Sequence, residues 1–302
     1  MNQTEISTGD NNSKPAKTGS ISFVPKWITE TINGGLSPVV DLNTGSNGWA
    51  SPPGDVFPLR SVDYFKTKQK SPGGDYLLSP AGVDWLISTG KLHNVLAHPD
   101  NRVAHALRQA QSRGESLNSF IFAVNFQMPT KEPHSMVLYF ATEDPIPSDS
   151  LLHQLINGED DSFRNQRFKL VTNAVKAPRV VKALAGKYGA FLLGKAVNCS
   201  YHRGSNYFEI DVDIGSSAIL SAALRFTLGY IMSLTADIGF VVEARTEDEL
   251  PEKLIGAVRI CQKELSPSAF IVVDDDHKDL KPCRMMGSAK GNQHDDEEYN
   301  KV

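Results

Sequence analysis

The chain has little cysteine, no long apolar run and no excess of positive charge, and each shortage removes a class of protein. Its 302 residues include only three cysteines, Cys199, Cys261 and Cys283. An odd count at wide spacing does not make a disulfide framework, so a reducing compartment is expected. The first residues carry no apolar stretch of signal-peptide length, and Met1-Asn2-Gln3 lacks the second-position glycine that myristoylation requires. With 31 basic against 35 acidic residues the net charge is −4, whereas a dedicated nucleic-acid binder shows a basic domain or stripe. No nucleic-acid partner is expected. The expected localisation is cytoplasmic, with room for a local basic patch and a peripheral place at membranes.

Catalytic signatures are equally scarce. The chain contains no G-x-S-x-G, no H-E-x-x-H and no kinase motif set. Gly73-Gly74 is turn chemistry and lacks the downstream glycine and Lys-Ser/Thr pair of a phosphate loop. His93, His98 and His105 are spaced by five and seven positions, which misses the close pairing of zinc ligands, so they read as surface or loop histidines. Cys199 stands near His202 and Arg203, and basic neighbours can activate a thiol. A lone cysteine at a strand end is more often a small buried apolar side chain.

What remains is a globular composition with 40% hydrophobic and 22% charged residues. Residues 1–45 are rich in Ser, Thr, Asn, Gly and Lys and are expected to be disordered. Ile21, Phe23, Val24, Trp27 and Ile28 form an apolar island in that segment, either a short element docking on the core or a partner motif. Residues 266–302 are expected to be a disordered acidic tail, with Asp295-Asp296-Glu297-Glu298 near its end and Phe270-Ile271-Val272-Val273 as its own island. Residues 46–265 contain no linker-like stretch and read as one domain.

Within that domain the periodicities point to runs of strands with intervening helices. Val103, Ala104, Leu107 and Ala110 recur at helical spacing over 101–113. Phe120, Phe122, Val124, Phe126 and Met128 alternate with polar Asn125 and Gln127, the pattern of a half-buried strand. Met136, Leu138 and Phe140 repeat it after a turn, so an antiparallel hairpin is expected. A serine-capped helix over 148–156, strands over 167–171, 191–197 and 207–214, and a last strand at Leu254–Cys261 complete the reading. The fold class that fits is α+β, a mostly antiparallel curved sheet packed on a long apolar helix at about 218–236, with several shorter helices.

The unit at 205–240 is the most informative segment. Phe208, Ile210, Val212 and Ile214 share one face of its strand, and Glu209, Asp211 and Asp213 share the other. Three carboxylates on one strand face suit either a solvated face paired with neighbouring Lys or Arg, or a divalent-cation site. The first reading is favoured, and no EF-hand spacing is present. The following helix is apolar over most of its circumference, with Ser221, Arg225, Gly229 and Ser233 in a narrow seam. It cannot span a bilayer, which takes about 20 apolar residues, because only 11 uncharged positions separate Arg225 from Asp237. It is expected either to be core, or to wall an apolar pocket or dip into a membrane face.

Several motifs resemble one family. They include Gly48-Trp49-Ala50-Ser51-Pro52, Gly74-Asp75-Tyr76-Leu77-Leu78, Val83-Asp84-Trp85, Phe163-Arg164-Asn165, Leu193-Gly194-Lys195-Ala196-Val197 and Leu250-Pro251-Glu252-Lys253-Leu254-Ile255. The most specific is Glu209-Ile210-Asp211-Val212-Asp213-Ile214-Gly215-Ser216-Ser217. Together they are similar to the C-terminal domain of the plant ENHANCED DISEASE RESISTANCE 2 proteins, over about residues 46–265. The resemblance implies a plant protein and a domain without established catalytic activity. Full-length family members place a pleckstrin-homology domain and a START lipid-transfer domain before it, and are linked to membranes, lipid binding and restraint of defence-associated cell death. The 45 residues that precede the domain here are too few to encode either, so functions of those domains, phosphoinositide recognition included, are not carried over.

The expected function is therefore a non-catalytic lipid-binding or membrane-associating module. Its partner would be a lipid or membrane surface, with no cofactor and no catalytic residue. Phe208, Ile210, Val212, Leu224, Phe226, Leu228 and Ile231 are the candidate pocket residues. The alternative is a protein-interaction adaptor working through the tails. A less favoured alternative is a metal-dependent enzyme using Glu209, Asp211 and Asp213.

Overall fold

Alternating apolar segments rich in Phe, Val and Ile build two stacked sheets in the computed structural model, which describes residues 25–35, 37–185, 188–264, 269–272 and 281–282. The strands are β1 (Gly48–Ala50), β2 (Pro58–Arg60), β3 (Lys70–Pro72), β4 (Ser79–Ser88), β5 (Phe120–Met128), β6 (His134–Thr142) and β7 (Phe168–Lys176). They continue as β8 (Tyr188–Leu192), β9 (Asn198–Arg203), β10 (Tyr207–Asp213), β11 (Thr235–Val242), β12 (Leu254–Cys261), β13 (Ala269–Val272) and β14 (Lys281–Pro282). A seven-stranded sheet runs β14-β13-β4-β6-β5-β10-β9, a five-stranded sheet runs β1-β12-β11-β7-β8, and β2 and β3 form a small ribbon. Pairing is antiparallel except for β10 on β5 and β13 on β4. The class is α+β with mostly antiparallel sheets, as the periodicities indicate.

The core lies between the sheets. Phe122, Phe126, Phe140 and Phe208 of the larger sheet meet Phe168 and Phe240 of the smaller, and the last two stack with ring centroids 5.5 Å apart. The opposite face of the larger sheet is covered by the helices Lys26–Asn33 and Arg102–Ser112. Trp27, Ile28, Val103 and Leu107 of these helices pack on Ile121 and Tyr139. Asn101 starts the second helix, its side chain accepting the amides of Val103 and Ala104. The larger sheet is thus buried on both faces along β5, and Asn125 and Gln127, expected to face solvent, are buried.

Residues 1–45 were expected to be disordered apart from an apolar island that either docks on the core or serves as a partner motif; Trp27 and Ile28 of that island are buried in the helix Lys26–Asn33, a docked element, and residues 1–24 lie outside the described residues. Three expectations are corrected. In the 266–302 segment, Ala269–Val272 is a strand beside β4, and most of the remainder lies outside the described residues. The apolar helix starts at Ala218 as expected but ends at Leu228, not 236. A 3-10 turn at Ile231–Ser233 follows, and Thr235–Val242 is β11, at the centre of the smaller sheet. Mostly apolar residues continue through Gly229 with no charged residue between Arg225 and Asp237, so composition hides the switch from helix to strand. Finally, only the first part of 191–197 is strand; Leu193–Ala196 is a helical turn.

Candidate functional site

β10 separates two environments. Phe208, Ile210 and Val212 point into the core between the sheets and are at most 1% exposed. Glu209 and Asp211 point to the other side, yet they are as deeply buried, at 0% and 1%. The solvated-face reading is therefore overturned for Glu209 and Asp211, while Asp213 stays partly exposed and paired with a lysine. The two buried carboxylates are covered by the loop at 89–97, which crosses this end of the sheet and ends in a 3-10 turn at Val95–Ala97.

The loop and the strand clamp each other. Asn94 takes the left-handed backbone region (φ 49°), which asparagine tolerates, and turns successive amides inward. Asn94 N donates to Asp211 Oδ2 at 3.2 Å, and Val95 N and Leu96 N donate to the two oxygens of Glu209 at 2.8 Å each. In return, the carbonyl of Leu92 accepts from Asn125 Nδ2 (2.9 Å) and Gln127 Nε2 (2.6 Å). Lys91 pairs with Asp213 at 2.6 Å. Glu209 and Asp213 thus have structural employment. Burial, and next the charge of Asp211, pushes the Glu209 carboxyl well above the usual carboxylate range.

Asp211 has two further neighbours. His202 on β9 places Nε2 at 2.8 Å from Asp211 Oδ2, and His93 of the loop places Nδ1 at 3.2 Å from the same oxygen. Burial opposes the charge of Asp211, but the hydrogen bond from His202 leads the interactions that outweigh it and hold the carboxyl below its ordinary range. Asn125, its register partner on β5, fixes the other oxygen at 2.9 Å. The two histidines differ from their carboxylate in chain position by 118 and 9 residues, so no local motif could have announced the group. The only signal was the acid-faced strand itself.

The helix Ala218–Leu228 is not core. Its cap, Ser217 Oγ, accepts from Leu220 N, and Ser221 Oγ donates to the carbonyl of Ile214 at 3.1 Å, which ties the helix to the end of β10. Leu224, Leu228 and Ile231 pack underneath on Trp85, Met128 and Met136. The helix exposes Ile219 at 82% and Phe226 at 41%, and the turn after it exposes Tyr230 at 37% and Met232 at 63%. Of the seven candidate pocket residues, Phe208, Ile210 and Val212 are locked in the main core, Leu224, Leu228 and Ile231 lie in the small cluster under the helix, and Phe226 faces out. The structure does not bring them together around one cavity.

Comparison with known proteins places this arrangement. Residues 49–264 match the family described as "Protein ENHANCED DISEASE RESISTANCE 2, C-terminal". The chain belongs to the ENHANCED DISEASE RESISTANCE 2 C-terminal family. It is 38% identical over 236 residues to a protein of Arabidopsis thaliana named "Protein ENHANCED DISEASE RESISTANCE 2-like", covering 78% of this chain. The chain spans about a third of that relative's length (31%). No solved structure matches it.

Within this family domain, ligand-sized cavities lie away from the helix. A cleft of about 560 Å³ is lined by Tyr76, Leu77, Ile146, Leu151, Pro251 and Ile255, with Asp144, Asp149 and Asp248 at its edge. A pocket of about 420 Å³ opens between Arg60, Tyr64, Lys70, Phe191 and Lys195. Cys199 is no activated thiol: burial pushes it up to about 12. Among the described residues no helix is long and apolar enough to cross a membrane.

Proposed function

We propose that this family domain is a non-catalytic module that docks on a lipid surface through the outer side of the helix Ala218–Leu228 and its following turn, within a plant defence-related protein. The observation that carries this reading is the exposure of that segment. From 214 to 236 the chain has a single charged residue, Arg225, yet Ile219, Phe226, Tyr230 and Met232 stand open to solvent. Monomeric soluble surfaces seldom leave contiguous large apolar groups uncovered. Phe226 and Tyr230 lie with ring centroids 5.3 Å apart, and a phenol beside a phenyl ring suits the boundary between acyl chains and headgroups. Arg225 is exposed on the same helix, where its stem can lie along apolar surface while its guanidinium reaches anionic headgroups.

Vesicle flotation tests the proposal. The protein should co-float with vesicles containing phosphatidylserine, and Ile219→Ser/Phe226→Ser/Met232→Ser should remain at the bottom of the gradient. A folded wild-type protein that floats with neither anionic nor neutral vesicles refutes it. A protein-interaction reading has one observation in its favour, the acid-edged apolar cleft beside Tyr76 and Pro251. It predicts capture of basic, apolar peptides from a peptide array, lost on Asp144→Lys/Asp149→Lys.

A further inference from the structure

We infer that His93, His202 and Asp211 form a binding site for a divalent late transition-metal ion, of which Zn²⁺ is the type. His93 Nδ1, His202 Nε2 and an Asp211 oxygen lie within 4.8 Å of one another. Two of the three separations are measured directly: 2.8 Å from His202 Nε2 to Asp211 Oδ2, and 3.2 Å from His93 Nδ1 to that oxygen. Ligand atoms about 2.0–2.1 Å from a tetrahedral ion stand roughly 3.3 Å apart, so the donors need small shifts. His93, whose side chain is 54% exposed, has room to move. Two imidazoles and one carboxylate match the preferences of Zn²⁺, Co²⁺ or Ni²⁺, whereas Mg²⁺ and Ca²⁺ take all-oxygen sets.

Two observations beyond the cluster favour an ion over a hydrogen-bonded triad. First, Asp211 Oδ2 has three nitrogens around it, His93 Nδ1, His202 Nε2 and the amide of Asn94, but a carboxylate oxygen offers only two lone pairs. A cation takes both imidazole lone pairs and one from the oxygen, and leaves the other for Asn94. Second, Asn125 Oδ1, Gln127 Oε1 and Asp213 Oδ1 are all buried without a partner among the described residues. Asn125 and Gln127 are the register neighbours of Asp211 and Asp213, and Gln127 Nε2 lies 3.3 Å from His93 Nδ1. Unpaired buried acceptors are rare and call for a donor. A water held by an ion beside Asp211 is one source of such a donor for its neighbour Asn125. Asn125, holding Asp211 Oδ1, orients the carboxylate as outer groups do in metal sites.

The test uses the full chain without an affinity tag, stripped with chelator and equilibrated with Zn²⁺ or Co²⁺. Equilibrium dialysis with elemental analysis should find one ion per chain, and bound Co²⁺ should show visible ligand-field bands. His93→Gln and His202→Gln should each weaken binding by about tenfold or more, while His105→Gln, at an exposed position on the helix Arg102–Ser112, should bind as the wild type. Circular dichroism confirms that each variant is folded, and the half-exposed His93 keeps the test readable if His202→Gln does not fold. Absence of Zn²⁺ and Co²⁺ uptake by the folded protein overturns the inference, as does uptake that both substitutions leave unchanged.

Discussion

Removing the Asp237 carboxylate tests how the smaller sheet is held on its outer side. Asp237 is fully buried on β11, with Arg259 of β12 and Asn173 of β7 directly opposite it on either side. Arg259 grips both its oxygens, Nε on Oδ1 at 2.5 Å and Nη2 on Oδ2 at 3.0 Å, and Asn173 Nδ2 donates to Oδ2 at 2.9 Å. Arg259 Nη1 continues to the carbonyl of Leu42 at 3.0 Å, so the pair also ties down the chain ahead of β1. Asp237→Leu leaves a buried guanidinium without its counter-charge, an error that costs about 3–5 kcal/mol. With a urea slope of about 3 kcal/mol/M for a domain of this size, the unfolding midpoint should fall by about 1–1.7 M. Asp237→Leu/Arg259→Leu removes the orphaned charge and should cost no more than Asp237→Leu alone, leaving only the amide of Asn173 and the carbonyl of Leu42 to find partners. Urea titrations of the two single variants and the double close the cycle. If the single losses add up to the double within about 0.5 kcal/mol, the two groups act independently and the clamp argument is wrong.

Other perturbations read other parts of the structure. Burial opposes the charge of Glu249, but Arg167 and the amides of Arg245 and Thr246 outweigh it and hold the carboxyl below 4.5. Its contribution is therefore complete above that pH and lost as pH falls through the depressed folded value, so urea midpoints of Glu249→Gln should drop less on acidification than those of the wild type. Gly256→Ala would bring a Cβ within 2.3 Å of Phe140 Cδ1 in the packed core; a loss of about 1–3 kcal/mol by thermal or urea unfolding is expected. In a Cys283→Ser background, thiol reagents at neutral pH should react slowly with the native protein and quickly after unfolding, because burial raises the Cys199 and Cys261 thiols. Ile219→Ser/Phe226→Ser/Met232→Ser should leave the urea midpoint within about 0.5 kcal/mol of the wild type per position, since those groups already face water; a large loss would mean that the exposed side is packed in solution.

Where the pattern repeated with one period, the fold was legible. The β5–β6 hairpin, the helix Arg102–Ser112 and the strand β12 follow directly from alternation or from helical spacing. The boundary inside 218–242 was not legible, because Ile231, Leu234, Ile238 and Phe240 serve a turn and a central strand as well as they would serve a helix. Only the sheet partners on either side of β11 decide between them. Trp27 and Ile28 were visible as an island in a polar segment, but whether they met the core depended on the uncovered face of β4 and β6, which no local pattern describes.

The site was harder for a related reason. A carboxylate on a strand looks the same in sequence whether it meets water, a lysine or a set of backbone amides. Glu209 and Asp211 are tolerated in the interior because a loop more than a hundred residues earlier bends its amides onto them. The parallel placement of β10 beside β5 adds Asn125 and Gln127 from the next strand. That geometry explains Glu209 in full, with two amide donors for two oxygens. It explains Asp211 less well, because three of its four nitrogen neighbours, the two imidazoles and the amide of Asn94, crowd the single oxygen Oδ2, which has two lone pairs, while Asn125 alone serves Oδ1. That crowding is the observation on which the inferred ligand role rests, and it appears only when β9, β10 and the loop at 89–97 are brought together.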